Sequence, residues 1–171
     1  MRTPLWCVLV LGSVGVLQAQ GLRGDFLRQL DDVEKKVTGL AQAMPQEKYT
    51  WRPGEGVRSV SEVLVHIAGA NYFFLSIAGI KPPAGIGRDM EKTITEKAKV
   101  TEALKASFAH ARQSVGAMAD ADLEKPIKMF GRSSTIRELL FIMANHMHEH
   151  LGQSIAYARV NGVVPPWSAK E

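Results

Sequence analysis

Asn145-His146-Met147-His148-Glu149-His150-Leu151-Gly152-Gln153 holds three of the five histidines in the chain. Upstream, Thr135 and Glu138 carry the spacing of a capping box and open a helix through this stretch. Its inward face reads Leu139, Ile142, Met143, His146, His150, Gln153 and Tyr157. Asn161-Gly162 stops the helix, and Pro165-Pro166 prevents its resumption. His146 and His150 are then one turn apart, with their imidazoles one above the other. Two imidazoles so placed can share a metal ion, as in H-E-x-x-H. That motif itself is absent, since Met147 stands where its Glu would be.

Three further helices are expected. Leu22, Phe26, Leu30, Val33, Val37, Leu40 and Met44 recur at spacings of three and four, and Pro45 ends the first helix. Residues 46–58 form a loop containing Tyr49, Trp51 and Arg52. Ser59 and Glu62 form a capping box for the second helix, with Val60, Val63, Leu64, Ile67, Phe74 and Ile77 on its apolar face and Gly79 at its end. Residues 80–92, with Pro82, Pro83, Gly85 and Gly87, form a connection long enough for a crossover. Thr93 and Glu96 repeat the capping-box spacing before Val100, Leu104, Phe108, Ala111, Val115 and Met118. Residues 120–132 read as a polar loop, with an extended piece over 126–130. The fold class is all-α, a four-helix bundle.

Composition is that of a globular chain: 171 residues, 46% hydrophobic, 22% charged, net charge +4. No basic run is interleaved with aromatics, so no nucleic acid is indicated as a partner. Residues 1–19 read as a signal peptide: Arg2, then an apolar run over residues 5–17 too short for a stable membrane span, then Ala19 before the cut. The bundle domain is residues 20–171, and its location is exported, periplasmic or secreted. Cys7, the only cysteine, lies inside the leader, so the mature domain has no disulfide, thiolate nucleophile or cysteine-based metal site.

His66 lies on or beside the apolar face of the second helix. Together, His66, His146 and His150 give three imidazoles from two packed helices, the ligand number of a metal site that leaves one position open. The plainer alternative is three hydrogen-bonded core histidines. His148 points elsewhere on the helix wheel, as a rim or surface residue, and His110 reads as a solvated surface histidine. Glu149 could orient a ligand histidine or be solvated; Gln153 and Asn71 are candidates for contacts around the site; Tyr157 reads equally as core. Trp51 and Arg52 either line a pocket mouth or, for Trp51, plug the bundle end.

The chain resembles the DinB-like (DinB/YfiT-like) metalloenzyme superfamily. The resemblance rests on Tyr49-Thr50-Trp51-Arg52-Pro53, on residues 59–67 ending in His66, on residues 146–153, and on residues 157–166. It implies an up-down-down-up bundle with a long crossover between the second and third helices. It also implies a divalent metal on His66, His146 and His150; zinc or nickel is the expected ion. Family members with known activity include thiol-dependent transferases and isomerases in which the metal activates the sulfur. An exported chain is separated from the reduced cytosolic thiols. The expectation is therefore an exported metal-dependent enzyme, hydrolase or transferase, acting on a small molecule. The alternative is a non-catalytic metal- or small-ligand-binding bundle, and a homodimer is compatible with either.

Overall fold

The computed structural model describes residues 21–87 and 89–168. The leader expected over residues 1–19 lies outside the described residues. Among the described residues, four long helices and one short one make up most of the structure: α1 (Leu22–Ala43), α2 (Val60–Ile77), α3 (Met90–Thr93), α4 (Lys97–Gly116) and α5 (Ile136–Val160). Between α4 and α5 lies a hairpin of β1 (Pro126–Met129) and β2 (Arg132–Thr135), paired antiparallel. The extended piece expected over residues 126–130 is β1; β2 was not expected. The hairpin turns at Phe130-Gly131, both at positive φ (49° and 80°), the backbone that matches strand twist in a two-residue turn.

Each of α1 and α2 packs against both α4 and α5, so the consecutive helices α1 and α2 are diagonal partners rather than neighbours. Hydrogen bonds give the relative directions. Arg23 near the start of α1 donates to the Gly116 and Met118 carbonyls at the end of α4, while Lys97 at the start of α4 donates to the Gln42 and Met44 carbonyls, so this pair is antiparallel. The Tyr157 hydroxyl, late in α5, donates to the Arg58 carbonyl just before α2. Asn71 of α2 donates to Ser107 of α4, at matching depth along the two helices.

The α1 stripe is buried as its periodicity predicts: Phe26, Leu30, Val33, Val37 and Leu40. In α4 the buried set is Val100, Leu104, Ser107, Phe108, Ala111 and Val115. α2 is apolar enough by length and composition to cross a membrane, with mean hydropathy 1.4, but 67% of it is buried in the bundle. Its apolarity is that of a core helix. Tyr49, fully buried in the loop after α1, donates its hydroxyl to the Ala41 carbonyl at 2.6 Å, and burial pushes its pKa up to about 12.

The three capping signals fare differently. Ser59 and Glu62 make the full reciprocal box at α2. At α5, Thr135 accepts from the Glu138 amide, but the Glu138 carboxylate turns to Arg132 and Ser134, which hold its pKa down to about 2. The Thr93–Glu96 box is not made. Thr93 ends α3, its hydroxyl donating to the Asp89 carbonyl, and α4 begins only at Lys97. The exposed Lys97 amide is capped from outside by the Gln46 side-chain carbonyl at 2.7 Å. His110 is not a freely solvated residue: its ring lies 5.3 Å from that of Tyr72, and its Nε2 is buried without a hydrogen-bond partner among the described residues.

Candidate metal centre

The inward face of α5 is rotated from the one read on the helix wheel. Met143, Met147 and Leu151 take the core positions, and His146 and His150 stand half-buried at the edge of that stripe. His66 stands at the corresponding edge of α2. The three imidazoles therefore meet where the α2–α5 seam opens, rather than in the bundle centre.

One ring nitrogen from each of His66, His146 and His150 lies within 4.8 Å of the others. Ring centroids are 4.5 Å apart for His146 and His150, 4.6 Å for His66 and His150, and 5.0 Å for His66 and His146. The Nε2 atoms of His66 and His146 face each other at 3.1 Å. Tetrahedral nitrogen ligands at ~2.0–2.1 Å from a zinc ion stand about 3.3 Å from one another, so the cluster needs only small rotations to take one.

The outer nitrogens determine which tautomers face inward. His66 Nδ1 is 2.5 Å from a Glu91 carboxylate oxygen, an obligate acceptor, so the ring proton sits on Nδ1 and Nε2 is a bare lone pair. His150 Nδ1 meets Gln153 Oε1 at 2.8 Å. The Gln153 amide is itself oriented, because its Nε2 donates to the Tyr157 hydroxyl, which donates to the Arg58 carbonyl. His150 therefore also carries its proton outside and a lone pair inside. Burial, then the neighbouring His150 and His66, push the His146 pKa down to about 4. Burial also lowers the pKa of His66, against the opposing pull of Glu91. His66 and His150 thus present inward lone pairs with their outer N–H groups tied to acceptors, while His146 Nδ1 is buried without a hydrogen-bond partner among the described residues. Together the converging imidazoles make a donor set that fits a divalent transition metal.

Glu91 was not singled out in the sequence, nor was its partner Arg58, whose Nε donates to the other Glu91 oxygen at 2.8 Å. Glu91 lies on α3, within the crossover, and no periodicity marks it; only the folded crossover brings it to His66. Removing it tests its role. Glu91→Ala should weaken metal binding by about 10–100-fold, the usual cost of losing such a partner. A chelator-competition titration giving the wild-type affinity would show that Glu91 does not position His66.

The other candidates divide. Gln153 and Tyr157 join the site through the chain just described. Trp51 packs edge-on against Tyr157, with centroids 5.3 Å apart, as a plug at that end of the bundle. Arg52 pairs with Glu62 and borders a polar cleft that also includes Arg58, Glu91 and Gln153. His148 is exposed, with Nδ1 bonded to the Ala144 carbonyl of its own helix, and Glu149 is exposed. Asn71 is fully buried and directed at Ser107 on α4, not at the histidines.

Solved structures share this fold, two of them DinB-like proteins. One is a DinB-like protein from Bacillus cereus, 19% identical, with a TM-score of 0.75, over 84% of this chain and 95% of that one. The other is a DinB-like protein from Bacillus subtilis, 21% identical, with a TM-score of 0.66, over 82% and 93%. No curated protein matches the chain. The DinB family model matches residues 18–170, nearly the whole length. The chain belongs to the DinB family.

Proposed function

We propose that this DinB-family protein is an exported metal-dependent enzyme, a hydrolase or transferase for a small molecule, with zinc or nickel held by His66, His146 and His150. The observation that carries the reading is the pair of fixed tautomers. Glu91 and the Gln153–Tyr157 chain spend the outer N–H groups of His66 and His150, leaving lone pairs directed at one point. A divalent ion bound there would supply Lewis acidity and lower the pKa of a bound water or thiol. The protein's own part is to hold the ligand imidazoles oriented. Helix directions support an up-down-down-up bundle with residues 80–92 as its crossover, and the short apolar run at the start of the chain supports export.

A second reading, binding without turnover, has one observation in its favour. Glu91 is already engaged by His66 and Arg58, and Tyr157 by Gln153 and the Arg58 carbonyl, so neither is a free general base. A small-molecule partner suits both readings, as does a homodimer.

Thermal unfolding tests the shared part. At ~100 times the dissociation constant, bound metal stabilises the fold by about 2.7 kcal/mol, which raises the midpoint by roughly 8 °C in a domain of this size. The same titration on a His66→Ala, His146→Ala, His150→Ala triple variant should give no shift. Equal responses from the two proteins would remove the site. Metal-dependent turnover of an ester, amide, phosphate or thiol-transfer substrate, lost in the triple variant, separates enzyme from binder.

A further inference from the structure

A cavity of about 580 Å³ opens beside the histidines, with His66, His146 and Glu91 at one end. That is the size of a small-molecule site. Beyond the histidines and Glu91 its wall is mostly apolar, built from Val65, Ala70, Phe73 and Phe74 of α2, Ile86 of the crossover and Met90 of α3, with Tyr72 and Ser76 as its other polar side chains. Gly69 lies in the same wall, in the middle of α2, and a Cβ built on it meets no atom within 4 Å. A glycine inside a helix weakens the helix. Here neither a close neighbour nor a positive φ requires one; what its missing side chain leaves is room in the cavity. Phe73, 51% exposed, extends the apolar surface outward to Phe130, 64% exposed, their ring centroids 6.5 Å apart. Phe130 is held there at φ 49°, a conformation rare for a bulky side chain.

We propose that this cavity binds a small molecule with an unbranched alkyl or aryl body, which lies along Gly69 and Phe73 with its single polar group directed at the histidines. The polar end rests on the metal reading above; the apolar end rests on the cavity alone.

The test is a series of alkyl hydroxamates, acetyl to octanoyl, titrated into zinc-loaded protein by calorimetry. Affinity should rise about fourfold per added methylene as each is buried, until the cavity is filled. Gly69→Leu places a side chain in the cavity, and Ile86→Glu places a charge there from the crossover. Either should flatten the series to within about threefold overall. Hydroxamates that bind with zinc but without chain-length dependence would overturn the cavity and leave the metal site standing. If no zinc binds, the metal reading fails separately. In that case an ethanol-to-octanol series, which needs no metal, decides the cavity: a steep rise blocked by Gly69→Leu upholds it, and a flat one overturns it.

Discussion

His150→Ala lowers the affinity for zinc or nickel by roughly 10²–10³-fold, while the metal-free fold is unchanged. The size follows from sharing a structural zinc site's ~10–16 kcal/mol among four ligands, about 2.5–4 kcal/mol each, where 1.4 kcal/mol is tenfold. His150 is the informative choice because it is half-buried at the seam, while Met147 and Leu151 carry the packing of that turn. Its loss removes a donor without opening the core. Competition against a chromogenic chelator gives the affinity, and circular dichroism of the metal-free variant gives the fold. Affinity within about threefold of wild type would mean that His150 is not a ligand. A collapsed metal-free fold would mean that its role is packing.

Phe108→Ala should do the reverse. Phe108 is fully buried on α4, in the continuous core that includes Leu30, Val33 and Ile67. Truncating a phenylalanine in such a place removes its transfer free energy and leaves a cavity, together about 3–5 kcal/mol. At roughly 3 °C per kcal/mol for a domain of this length, the midpoint falls by about 9–15 °C. α4 supplies none of the three imidazoles, so metal stoichiometry below the transition should stay at that of wild type. Urea unfolding with the slope held constant measures the loss. A value below about 1 kcal/mol would place Phe108 outside the close-packed interior.

The helices were legible because their signals are local. Seven apolar residues at spacings of three and four mark α1, and Ser59 with Glu62 marks the start of α2. The three histidines were legible for the same reason, although α5 is turned so that Met147 and Leu151, not His146 and His150, face the core. The features not anticipated depend on residues distant in the chain. Thr93 and Glu96 have the spacing of a cap, but Gln46, about fifty residues away, takes that task at α4. Glu91 reaches His66 only once the crossover folds back. His110 reads as polar and exposed until Tyr72 covers it. Glu138 has the choice of an amide or an arginine, and the hairpin that supplies Arg132 could not be inferred from the helix signal alone.

The diagonal placement of α1 and α2 has a kinetic consequence. Helical hairpins joined by short links can form early, because closing a short loop costs little entropy. Here α1 with α2, and α4 with α5, are consecutive long helices that do not pack side by side. Most of the helix contacts join segments far apart in sequence, so assembly is slower and more collective than in a bundle of successive hairpins. His66 and His146 are eighty residues apart and touch only across the α2–α5 seam. No amino-terminal fragment that stops short of α5 can gather the three imidazoles. Their convergence thus requires α5 to dock against α2, and a metal ion captured there would report that this docking has taken place.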